Sequence, residues 1–211
     1  MEFLAHRGLW FEKNERNDLA ALFRGLVDGY GLETDIRDLD GQLVISHDIP
    51  LKDTVVSVEE LFSFYTKSSF SSTLALNIKS DGLQSKLYTM LMQYNIENYF
   101  VFDMSIPDTL SYLKSGMKTF ARRSDIENSP ELYLRSQGIW LDELVDEWVT
   151  ADVIVTEAKN VSKLCIVSGE LHGRDYKQQW KQIKKALDLG CPSDKLLLCT
   201  DVPHIAKEFF N

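Results

Sequence analysis

The sequence predicts an α/β fold, specifically a compact (β/α)8 TIM barrel with a short excursion after its second strand. Short apolar runs rich in Val, Ile, Phe and Leu alternate with amphipathic stretches at helix-length intervals. Gly29, Gly116 and Gly190 fall where those amphipathic stretches should stop. With the run at Leu43–Ser46 set aside as the excursion, eight principal strands remain, which is the number that closes a barrel.

In chain order the expected strands are Phe3–Ala5, Leu32–Ile36, Leu43–Ser46, Thr73–Ile78, Tyr99–Phe102, Met117–Ala121, Gly138–Leu141, Lys163–Val167 and Lys195–Cys199. Between the first two, Leu19, Leu22, Phe23, Leu26 and Val27 make one helical stripe, with Asp18 placed to cap it. Leu83, Leu87, Met90, Leu91 and Tyr94 make a second stripe, and Trp180, Ile183 and Leu187 a third. Ser68–Ser72 reads as a polar turn rather than a linker, so residues 1–211 are expected to form a single domain. Repeated strand–helix alternation favours a parallel sheet wrapped by helices. An open doubly wound sheet is the alternative, but no GxGxxG follows the first strand.

Composition narrows the function. The 211 residues carry a formal net charge of −9, a surface that repels nucleic acid and anionic membranes. Phosphate chemistry would therefore need a local positive cluster, and no nucleic-acid partner is expected. Cys165, Cys191 and Cys199 show no metal or disulfide spacing and read as free thiols. The opening Met-Glu-Phe-Leu-Ala-His has no basic leader, and no apolar run is long enough to span a bilayer. A reducing, cytoplasmic setting without stable membrane insertion is the expectation.

The first quarter carries the chemistry. His6-Arg7-Gly8 follows the first strand directly, where a barrel strand delivers side chains to its C-terminal rim. Glu33 and Asp35 are two apart on the second strand and so share a face. Paired buried carboxylates repel and desolvate each other unless a positive charge compensates them. A hard divalent cation, Mg²⁺ or Ca²⁺, and a salt bridge to Arg7 or Arg37 both satisfy that requirement. His47 follows the next short strand, and two imidazoles can take and give the proton that phosphodiester hydrolysis moves. Asn77 and Lys79 repeat the same-face spacing on the third strand, with Lys79 suited to a phosphate or to Glu33 and Asp35. Glu170 and His172 read as a solvated loop, Trp140 as packing, and Glu143, Asp146 and Glu147 as a solvated acidic face.

The runs Ala5-His6-Arg7-Gly8, Asn17-Asp18-Leu19, Gly31-Leu32-Glu33-Thr34-Asp35-Ile36-Arg37, Asp40-Gly41 and Val44-Ile45-Ser46-His47-Asp48 resemble the signature of glycerophosphodiester phosphodiesterases. Leu76–Lys79 and Thr200-Asp201-Val202-Pro203 resemble that family's third- and last-strand motifs. The resemblance implies metal-dependent hydrolysis of a small-molecule phosphodiester to an alcohol and a phosphomonoester. His6 and His47 would be the acid–base pair, Glu33 and Asp35 the metal ligands, and Arg7 and Lys79 the phosphate contacts. Asn77 stands where the family usually has a glutamate, so it would ligate through an amide oxygen, with Asp142, and after it Asp103, as possible substitute carboxylates at strand ends. Two alternatives stand beside this reading. One is a lysophospholipid, sphingolipid or inositol phosphodiesterase acting by cyclisation; the other is a degenerate barrel that binds a phosphorylated ligand without turnover.

Overall fold

The computed structural model describes residues 1–51 and 55–211. They divide into two compact units, one of Ala5–Thr119 and one of Met1–Leu4 with Phe120–Asn211.

The first unit takes in the end of β1 (Glu2–His6) and then α1 (Leu19–Val27), β2 (Gly31–Leu39), β3 (Gln42–Ile45), β4 (Val56–Ser57) and α2 (Val58–Lys67). β5 (Leu74–Ile78), α3 (Gln84–Gln93), β6 (Tyr99–Phe102) and α4 (Ile106–Lys114) complete it. β2 pairs in parallel with β5, and β5 with β6. The expected excursion after the second strand is present as β3, antiparallel to β2, with β4 antiparallel to β3. β2 is buried along Leu32–Ile36, so the period of two divides apolar Leu32 and Ile36 from acidic Glu33 and Asp35. Register places Asp35 opposite Asn77 on β5, and the Lys79 N–H donates to the Ile36 carbonyl (2.9 Å).

Local chemistry sets the helix ends. Ser57 caps α2 by accepting from Glu59 N (3.1 Å), and Glu60 returns the bond to Ser57 N (3.4 Å), a capping box legible as Ser-x-x-Glu. Ser105 caps α4. Asp18 occupies the N-cap position of α1 as expected, but its side chain makes no capping bond.

In the second unit, β7 (Phe120–Arg123), α5 (Pro130–Arg135), β8 (Gly138–Leu141), α6 (Ala151–Asn160), β9 (Lys163–Val167), α7 (Tyr176–Asp188), β10 (Leu196–Thr200) and α8 (Pro203–Phe210) follow in turn. The pairs β7–β8, β8–β9 and β9–β10 are all parallel. Trp180 is fully buried in an apolar core with Ile183, Leu164, Ile166 and Leu198. Burial of each such side chain stabilises by roughly 1.5–3 kcal/mol. The expected strand at Met117–Ala121 is shifted: Thr119 makes an isolated parallel bridge to Val101, and the strand proper runs on to Arg123. Arg122 and Arg123 continue the pairing opposite Trp140 and Leu141, so backbone hydrogen bonding outlasts the apolar run.

Among the described residues, each principal strand is followed by one helix, giving eight strand–helix pairs plus the β3–β4 excursion. All three cysteines are buried. No helix of the described residues is long and apolar enough to cross a membrane.

Candidate active site

The site lies wholly within the Ala5–Thr119 unit, where β1, β2 and β5 reach their C-terminal ends. The turn after β1 needs unusual backbone. Arg7 has φ +56° and Gly8 φ +91°. A Cβ on Gly8 would lie 2.6 Å from the Ala21 carbonyl carbon, so glycine is required by both conformation and space. The Arg7 N–H donates to Glu33 O (2.9 Å) and is shared with the Glu33 carboxylate at 3.2 Å. That turn therefore fixes His6 and Arg7 against β2.

Glu33 and Asp35 are both buried, 1% and 0% exposed. Glu33 accepts from Asn77 Nδ2 (3.2 Å) and lies 3.8 Å from His6 Nε2. Asp35 has Arg7 Nε at 3.0 Å and Lys79 Nζ at 3.6 Å, and it accepts from Asn17 Nδ2 (2.8 Å). Lys79 also donates to Asp103 Oδ2 (3.0 Å), at the end of β6, where Asp103 has φ +72°. The cluster thus interleaves three carboxylates with two fixed cations. Burial and the neighbouring Asp35 charge push the Glu33 carboxyl up to about 7, against the pull of His6, Arg7 and Lys79.

Five of the residues expected from sequence converge with Glu33: His6, Arg7, Asp35, Asn77 and Lys79. His47 is placed differently. Its Nδ1 lies 2.8 Å from Asp48 Oδ1, and its ring is 46% exposed. The backbone of the preceding Ser46 donates to Asp35 O (3.0 Å), so His47 leaves the excursion one residue beyond a bond to the acidic strand. Arg37, the other possible salt-bridge partner, donates to His47 O (3.1 Å). Asn17 is a member of the cluster with no role expected from sequence, and Asp103, the second-ranked substitute carboxylate, joins it through Lys79. Asn17 belonged to a quoted motif, and Asp103 follows an apolar strand as Lys79 does.

In the second unit, Asp142 is buried, with Oδ1 2.7 Å from His172 Nε2 and accepting from Glu143 N (2.8 Å). His172 is therefore tied to a buried acid rather than being a free loop residue. Trp140 is buried, as a packing role requires. The expected solvated face at Glu143 is incorrect. Glu143 is 3% exposed and accepts from Trp148 N (3.0 Å), Val149 N (2.8 Å) and Gln179 Nε2 (2.9 Å). Backbone donors from the following loop and a glutamine from α7 supply the hydrogen bonds that water would otherwise make.

The donor set of the first unit can be tested against a metal. Among the described residues, no three His, Cys, Asp or Glu side chains form a ready metal-binding group. Glu33 and Asp35 offer carboxylate oxygens and Asn77 an amide oxygen, and such an all-oxygen set suits a hard cation. The buried Asp35 Oδ1 and Asn77 Oδ1 accept no hydrogen bond. Asp35 Oδ1 faces Lys79 Nζ only at 3.6 Å, so both oxygens keep lone pairs that a divalent ion could use.

No protein-family model and no curated protein matches the sequence. Solved structures do. A protein of Galdieria sulphuraria assigned to the glycerophosphodiester phosphodiesterases superposes with a TM-score of 0.76 at 16% identity, covering 99% of this chain and 97% of that one. A glycerophosphodiester phosphodiesterase of Parabacteroides distasonis gives 0.68 at 15% identity, covering 99% and 96%. A Ca²⁺-dependent phosphatidylinositol-specific phospholipase C of Streptomyces antibioticus gives 0.56 at 11% identity, covering 98% and 95%. Over nearly its whole length, the chain has the (β/α)8 fold of the glycerophosphodiester phosphodiesterase structures.

Proposed function

We propose that this chain hydrolyses a glycerophosphodiester-type phosphodiester to an alcohol and a phosphomonoester. The observation that carries the reading is the buried cluster of Glu33 and Asp35 with Arg7, Lys79 and His6 around them. The fold shared with phosphodiesterases of this class and the motif resemblance over residues 3–50 support it independently.

Arg7 and Lys79 bring positive charge to one place in a chain of formal net charge −9, and would hold the non-bridging phosphate oxygens. Glu33, Asp35 and Asn77 would hold one divalent cation, Mg²⁺ or Ca²⁺, which when bound polarises the phosphoryl group and lowers the pKa of the attacking hydroxyl. His6 and His47 would act as the acid–base pair: one takes the proton of the incoming hydroxyl and the other protonates the departing alkoxide. Overall one water is consumed, the P–O bond to the alcohol breaks, and a P–O bond to the water oxygen forms. His47 can serve from an exposed position because its Asp48 contact at Nδ1 leaves Nε2 to face a substrate. Asp142 is engaged by His172 and is not needed in this ligand set.

The test is a screen of glycerophosphodiesters and lysophospholipids with and without Mg²⁺ or Ca²⁺, reading released alcohol. His6→Ala and His47→Ala should each lower turnover about 10²–10⁴-fold with the fold intact by circular dichroism. Full turnover in both variants rules the mechanism out. A second reading, phosphate binding without turnover, draws on one observation: Arg7 and Lys79 already compensate Asp35. Phosphomonoester binding without alcohol release from any diester would select it.

A further inference from the structure

Asn17 lies outside every strand and helix, between a short 3-10 turn (Lys13–Glu15) and α1, yet it is buried at 8% exposure. Its backbone has φ +65°, a left-handed conformation that asparagine tolerates better than most residues. Its N–H donates to Arg7 O (2.9 Å). Its Nδ2 donates to Asp35 Oδ2 (2.8 Å), and its Oδ1 accepts from Thr34 Oγ1 (2.9 Å). Asp35 settles the direction of the amide, because an ionised carboxylate only accepts and so must face Nδ2. The Oδ1 end is then held by the Thr34 hydroxyl, which donates to it. Asp35 Oδ2 is thereby engaged on two sides, by Asn17 and Arg7, whereas Oδ1 accepts no hydrogen bond and has the Lys79 ammonium opposite it at 3.6 Å, beyond hydrogen-bond reach.

We propose that Asn17 is the positioning residue of this site. Its amide fixes the rotamer of Asp35 so that one oxygen stays available to a cation, and its backbone pins the turn that presents Arg7. The inference rests on the reading of Asp35 as a cation ligand. Outer-shell partners of ligating carboxylates commonly act this way, and their removal costs metal affinity as well as rate.

Asn17→Gly keeps the left-handed backbone accessible while deleting the amide. Thr34→Val keeps Asn17 but removes the hydroxyl that holds its carbonyl end, and Thr34→Ser puts the hydroxyl back. Mg²⁺ and Ca²⁺ affinity by calorimetry, with kcat and KM on the best diester, should separate these variants. Asn17→Gly and Thr34→Val should each bind the cation about 10–100-fold more weakly, with kcat falling more than KM rises. Thr34→Ser should recover near-wild-type affinity, which a packing role for Thr34 does not predict. Affinity within about twofold of wild type in folded Asn17→Gly and Thr34→Val overturns the proposal; if Asn17→Gly does not fold, Thr34→Val decides alone. If wild type shows neither cation uptake nor turnover, the proposed function fails. The Asn17 inference is then decided by crystal structures of wild type and Thr34→Val: a rotated Asp35 carboxylate in the variant supports it, and an unmoved one overturns it.

Discussion

Two buried glutamates, one in each unit, show how differently the same side chain can be housed. Glu143 accepts three hydrogen bonds of 3.0 Å or shorter, two from backbone N–H groups and one from Gln179. Glu33 accepts two, both at 3.2 Å, from Arg7 N and Asn77 Nδ2, and faces a second buried acid. Burial raises the pKa of both carboxyls, but only Glu33 has an acidic neighbour adding to the effect. Glu143 is a loop fastener whose bonds are made when the chain folds. Each Glu33 oxygen accepts one longer bond, which leaves lone pairs that the proposed cation would use.

The sharpest break of this comparison is catalytic. Glu33→Gln should lower diester turnover by at least about 10²-fold, whereas Glu143→Gln should leave it within a few-fold; equal losses would erase the distinction. Stability should sort the other way. Glu143→Ala strands the N–H groups of Trp148 and Val149 and the Gln179 amide, and should cost about 3 kcal/mol in urea unfolding. The pH dependence of stability comes next. In cation-free protein the Glu33 carboxyl is raised to about 7, so the folded state favours its neutral form. Its contribution is full below about pH 4.5 and is lost as pH rises through 7, about 3 kcal/mol at most. The difference between wild type and Glu33→Gln across pH 4–8 isolates that contribution, and a flat difference contradicts it. The smallest expected effect belongs to Asn77→Glu, which adds a charged ligand and should tighten Mg²⁺ or Ca²⁺ binding about tenfold, or about 1.4 kcal/mol.

Much of this was legible before any coordinates. Alternation of apolar runs and amphipathic stripes placed strands close to their observed positions, because burial on two sides leaves a continuous apolar signature. The strand at Met117–Ala121 was misplaced because Arg122 and Arg123 carry its pairing forward on backbone bonds, which residue type does not encode. The Glu33, Asp35, Asn77 and Lys79 faces followed from a period of two. Glu143 was misread because its partners come from a loop and from α7, and no local pattern announces a donor 36 residues away.

The sequence by itself determined which residues share a strand face, where turns must be glycine and which acids stand in pairs, since those follow from backbone period and sterics. Only the tertiary structure decided who satisfies whom: that Asn17 and Arg7 take one oxygen of Asp35, and that Lys79 is shared with Asp103. Hydrogen bonds and ion pairs between side chains depend on ångström-scale approach of segments distant in the chain. Packing of the whole unit sets that approach, and local preference does not.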